Sequence, residues 1–74
     1  MARYRNLGGD SGVYSYEIGN NSIIVTFSTN ASYEYTYESA GARHIENMKR
    51  LAQQGHGLNS YINKHVKKGY SRIF

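Results

Sequence analysis

The sequence predicts an α+β fold, a three-stranded antiparallel β-meander with two C-terminal α-helices packed on one of its faces, in the order β-β-β-α-α. Three observations carry the prediction. Large side chains alternate with small or polar ones from residue 13 to residue 37, interrupted by turn residues. After Ser39 the apolar period changes from two to that of a helix. With 74 residues, the chain is near the lower limit for independent folding, so both layers must share one small core.

In the first strand Tyr14, Tyr16 and Ile18 lie on one side, and Ser15 and Glu17 on the other. Asn20 and Asn21 suit a tight two-residue turn, because asparagine tolerates positive φ. The β-branched and aromatic run that follows, SIIVTFS, makes the second strand. This hairpin pairs Ile18 with Ile23, Tyr16 with Val25 and Tyr14 with Phe27, which puts six large side chains on one face. The next loop decides where the tyrosines of the third strand, SYEYTYES, point. A three-residue loop with Asn30 or Ala31 left-handed pairs Phe27 with Tyr33, Val25 with Tyr35 and Ile23 with Tyr37, on the same face. A two-residue loop would turn them to the other side, beside Ile24 and Thr26. The first arrangement concentrates apolar area on a single face, so core packing is expected for the tyrosines, and an open stacking platform is the rival.

Ser39 is the expected N-cap of the first helix, whose inner face carries His44, Ile45, Met48, Leu51 and Ala52 at about 100° per residue. Arg43, Glu46, Lys49 and Arg50 take its outer face. Gly55 is the expected C-cap. Gly55-His56-Gly57 leads to a second helix with Leu58, Tyr61, Ile62, His65 and Val66 as its inner stripe, ended by Gly69. Residues 1–10 are expected to be a flexible tail, residues 11–74 a single domain, and residues 70–74 a docked or loose end.

Charge is unevenly distributed within the net +4. Residues 1–38 hold two arginines against four carboxylates, while residues 39–74 hold seven cations against Glu46 alone. This asymmetry suits a polyanion partner. The absence of cysteine excludes disulfides and thiolate metal ligands and suits a reducing cytoplasm, the expected location. No apolar run approaches the roughly 18 residues that a membrane span needs.

The order of strands and helices, together with Asp10-Ser11, Ile18-Gly19, Tyr33-Glu34-Tyr35, Gly55, Leu58-Asn59 and Tyr70, resembles the KTSC domain. That family is found at the C terminus of some lysyl-tRNA synthetases and as small free-standing bacterial proteins. The resemblance covers roughly residues 10 to 70. This chain has Ala40-Gly41-Ala42 where the family often has a proline, and Leu58 where an aromatic residue often stands. The family has no established activity; its attachment to a synthetase implies RNA.

Lys64, Lys67 and Lys68 fall within about 100° of arc on the second helix, opposite its apolar stripe. Lysines in that pattern follow phosphates without reading sequence, and Lys49 and Arg72 would extend the path. The competing reading is a solvated helix face with cations near the negative end of its dipole. The G-x-G before the second helix is read as an interhelix turn, and Asn59 as its cap or a tie to a neighbouring backbone. His44, His56 and His65 lack metal-ligand spacing, and no carboxylate pair or nucleophile pattern suggests catalysis. The expectation is therefore a non-catalytic, cofactor-free domain that binds RNA, tRNA-like or single-stranded. The alternative is an interaction module that pairs with another protein or with itself through its sheet edges.

Overall fold

A computed structural model describes residues 2–7 and 12–74. Five antiparallel strands, in the order β1-β2-β3-β4-β5, form one sheet. They are β1 (Ala2–Arg3), β2 (Val13–Ile18), β3 (Ser22–Phe27), β4 (Ser32–Thr36) and β5 (Tyr70–Ile73). Between β4 and β5 run α1 (Tyr37–Ala40), α2 (Ala42–Gln54) and α3 (Leu58–Tyr61), the last continuing into a π-helical stretch, Ile62–Val66. The α+β class and the central meander are as expected, but among the described residues the sheet has five strands instead of three and there are three helices instead of two.

The alternation predicted for β3 and β4 places the core. Ile23, Val25 and Tyr35 are buried against Ile45, Met48 and Ala52 of α2 and Leu58, Ile62 and Val66 of the last helical segment. Each valine, leucine, isoleucine or methionine removed from water in this way contributes about 1.5–3 kcal/mol of transfer free energy. The expected inner stripes of both helices are thus the core-facing ones, although His65 is exposed.

The pairing differs from the expected one at two points. Ile18 faces Ile23 and Tyr16 faces Val25, but a bulge between Val13 and Ser15 puts Val13 opposite Phe27. The bulge leaves Tyr14 as the unmatched residue; it is 50% exposed, with the Arg3 guanidinium 4.8 Å from its ring centre. The second difference is a slip of two residues: Val25 faces Tyr33 and Ile23 faces Tyr35. A slip of two preserves the face, so Tyr33 and Tyr35 still point towards the helices. Asn30, at φ 72°, takes the left-handed position of that loop. Tyr37 leaves the sheet and begins α1. In the first hairpin the turn is closed by Gly19 donating to the Ser22 carbonyl at 2.9 Å. Asn20 and Asn21 make it without positive φ, since Asn6 and Asn30 are the only non-glycine residues with positive φ among those described.

Helix starts also shift. Thr36 caps α1, and its hydroxyl accepts from the Ser39 amide while Ser39 Oγ accepts from the Thr36 amide. Ser39 is therefore the reciprocal partner in the box and not the cap itself. Gly55 ends α2 at φ 76°, a left-handed conformation that glycine adopts without penalty. The N-cap position of α3 is Gly57, which makes no side-chain cap bond, so Asn59 is not the cap.

The segment expected as a tail contributes to the fold. Ala2 and Arg3 pair with Tyr16 and Ser15, Tyr4 is buried, and Arg5 and Leu7 reach the end of α2. There the Arg5 guanidinium donates to the Gln53 carbonyl at 2.6 Å, a cation at the negative end of the helix dipole, and the Leu7 amide donates to the Gly55 carbonyl at 2.7 Å. The expected domain start, with Asp10 and Ser11, lies outside the described residues. At the other terminus Tyr33, Glu34 and Tyr35 pair with Ile73, Arg72 and Tyr70, so residues 70–73 form the edge strand β5.

Candidate nucleic-acid interface

The last helical segment and β4 do not close on each other along their whole length. Between them lies a cleft of about 460 Å³, within the usual range for small-ligand pockets. Its sheet side is aromatic and is formed by Phe27, Tyr33, Tyr35 and Tyr70. Phe27 and Tyr70 each stand near perpendicular to the Tyr33 ring, with centroids at 5.4 and 5.1 Å. These edge-to-face contacts fix the three rings as a corner. Tyr35, only 1% exposed, lies deeper, and burial, followed by the proximity of Tyr33 and Tyr70, pushes its phenol up to about 12. Its hydroxyl stays neutral throughout the physiological range.

The helix side of the cleft consists of Ile62, Asn63, Lys67 and Lys68. Ile62 and Asn63 belong to the π-helical stretch, and Lys67 and Lys68 follow directly on its end, so the wall is formed by the start of that stretch and the turn after it. Gly12, Ser28 and Thr29 complete the lining. None of these residues is acidic, so two exposed ammonium groups set the sign of the potential at the mouth.

Of the five cations singled out in the sequence, the fold brings Lys67 and Lys68 to the cleft and keeps Lys64 exposed on the same helical segment, outside the lining. Lys49 is elsewhere. Its ammonium donates to the Asn20 carbonyl at 2.9 Å, pairs with Glu46 at 3.0 Å and lies 5.9 Å from the centre of the Tyr37 ring. Asn20 precedes β3 and Ser28 follows it, so Lys49 and the cleft are at opposite ends of that strand. Tyr37 also donates to Glu46, at 2.6 Å, and this bond, followed by Lys49, holds the Glu46 carboxyl below its ordinary value. Arg72 sits opposite Glu34 on the sheet face away from the helices, paired with that carboxylate at 2.7 Å and 4.5 Å from the Phe74 ring centre. The five cations therefore do not form one continuous path.

A second polar cluster joins α2 to the last helical segment. His44 Nδ1 and the Tyr61 hydroxyl share a 2.6 Å hydrogen bond, Asn47 donates to the same hydroxyl at 3.1 Å, and His65 stacks on His44 at 5.4 Å. Among the described residues no three metal-ligating side chains come together, and no helix is long and apolar enough to cross a membrane. The Gly55-His56-Gly57 segment is an interhelix turn, and the Leu58 amide that follows it is occupied by the Tyr4 hydroxyl.

Sequence reasoning located the lysines but missed the aromatic corner beside them. The available signal was Tyr70 directly after Gly69, which returns the chain to the sheet next to Tyr33 and Tyr35. No protein-family model matches this chain, and neither a curated protein nor a solved structure is similar enough to it to register as a match.

Proposed function

We propose that this protein is a non-catalytic binding domain for single-stranded RNA, with Lys67 and Lys68 holding phosphates at the mouth of the cleft and Lys64 adding charge beside them. The observation that carries the reading is the placement of two exposed lysines next to an aromatic wall with no carboxylate in the lining among the described residues. Phosphates supply affinity without sequence preference, and rings accept any base. The cysteine-free composition suits work in the cytoplasm. The reading includes the KTSC-like assignment, supported by the order of the central strands and by the positions of Tyr33, Tyr35, Gly55 and Tyr70.

Replacing Lys64, Lys67 and Lys68 together by glutamine tests it. Affinity for a short single strand should fall, and the slope of log affinity against log salt should drop by about 2, since each neutralised single-strand phosphate contributes about 0.7. An unchanged slope discards this surface.

A protein-interaction role is the second reading, favoured by Ile73 and Phe74, half-exposed at the end of edge strand β5. Such an interface would persist at salt concentrations that release RNA.

A further inference from the structure

Resting on the RNA reading above, we infer that the cleft is a one-base pocket: a single nucleobase of the bound strand enters it and meets the ring corner of Phe27, Tyr33 and Tyr70, while the phosphate beside that base sits on Lys67 and Lys68. Three observations join here. Phe27 and Tyr70 are each held near perpendicular to Tyr33, so a flat guest can lie on one ring while touching a second edge-on. Tyr33 and Phe27 are half-buried and Tyr70 more open, leaving ring surface accessible to a guest. The lysines follow directly on the π-helical stretch that forms the opposite wall, so the aromatic and cationic elements face one space of about 460 Å³. A guest that satisfies both must be flat and apolar at one end and anionic at the other, with the two covalently linked. A nucleotide unit has that chemistry. An acidic peptide supplies the charge, but only an aromatic residue at a suitable spacing would supply the ring.

The inference requires an unpaired base, because a base inside a duplex has both faces stacked and its edge engaged. Base pairing should therefore abolish the aromatic contact and leave the electrostatic one.

The test compares three ligands on the full chain at low salt: a short oligouridylate, an abasic ribose-phosphate strand of equal length, and an acidic peptide of equal charge. Amide and aromatic-ring shifts are followed. The oligouridylate should bind about tenfold tighter than the abasic strand, the scale of one base stacked on an aromatic side chain. Ring signals of Phe27, Tyr33 and Tyr70 should move with the amides of Lys67 and Lys68 along one saturation curve. The abasic strand should move the lysine amides alone. Tyr70→Leu, which keeps an apolar side chain on β5 but removes the π face, should bring oligouridylate affinity down to the abasic level. Equal affinity for the two strands without ring shifts overturns the pocket and leaves phosphate binding standing. An acidic peptide that binds as tightly as the oligouridylate and moves the same rings also overturns it. Failure of both strands to bind removes the RNA reading and the pocket together.

Discussion

The Tyr4 hydroxyl accepts a hydrogen bond from the backbone N–H of Leu58, 3.2 Å away and 54 positions along the chain. Both residues are buried, and the donor is at the start of a helix, where backbone N–H groups lack partners within the helix itself. The residue that follows β1 therefore supplies the partner that α3 does not encode locally.

Tyr4→Phe keeps the ring and removes this acceptor. Leaving a buried N–H unsatisfied costs about 1–3 kcal/mol, and Tyr4→Ala should cost about 3–5 kcal/mol through the cavity it leaves. Urea unfolding should report both as a lower midpoint with little change in slope. If Tyr4→Phe has the parent's midpoint, water serves Leu58 as well as the phenol does.

Tyr35 is the buried centre of the aromatic strand, and its replacement by alanine should destabilise by about 3–5 kcal/mol. A loss below about 0.5 kcal/mol, the range of surface substitutions, would mean that the ring is not packed. Its ionisation gives a second check. The phenol is raised from 10.0 unfolded to about 12 folded, so its contribution to stability is complete below pH 10 and is lost as pH rises towards 12. Over that interval the parent should lose stability more steeply than Tyr35→Phe, as measured by chemical denaturation at successive pH values. Parallel curves would contradict the burial of the hydroxyl.

Lys49 and Lys67 should behave differently towards RNA, although the sequence reading places both on one phosphate path. Lys49 is engaged with Glu46, the Asn20 carbonyl and the Tyr37 ring, at the far end of β3 from the cleft. Lys49→Gln should leave the salt slope of binding unchanged, whereas Lys67→Gln lowers it by about 0.7. Equal losses from the two substitutions would mean that the strand runs over α2 as well. Arg72→Gln should also leave binding unchanged, and it should shift stability by no more than about 1 kcal/mol, because its pair with Glu34 is at the surface.

Local periodicity made the two layers legible in the residue pattern. Ile23, Val25 and Tyr35 alternate on a strand period; Ile45, Met48 and Ala52, like Leu58, Ile62 and Val66, recur on a helical one. The parity of the second loop survived a pairing slip, because two residues return a side chain to the same face. The lysines of the last helical segment were visible for the same reason.

What the sequence determined by itself is therefore which face of each element is apolar, since side-chain direction follows from backbone period alone. The tertiary structure decided the rest. Strand β1 has two residues and β5 shows no buried–exposed alternation, so neither carries a signal of its own; each is a strand because a neighbour offers backbone partners. The bulge that turns Tyr14 outwards and the π-helical winding of Ile62–Val66 are likewise choices of hydrogen-bond partner, which side-chain pattern does not specify. The cleft depends on the packing of these elements, because its rings come from three strands and its charges from the turn after the last helical segment, and only packing brings them together.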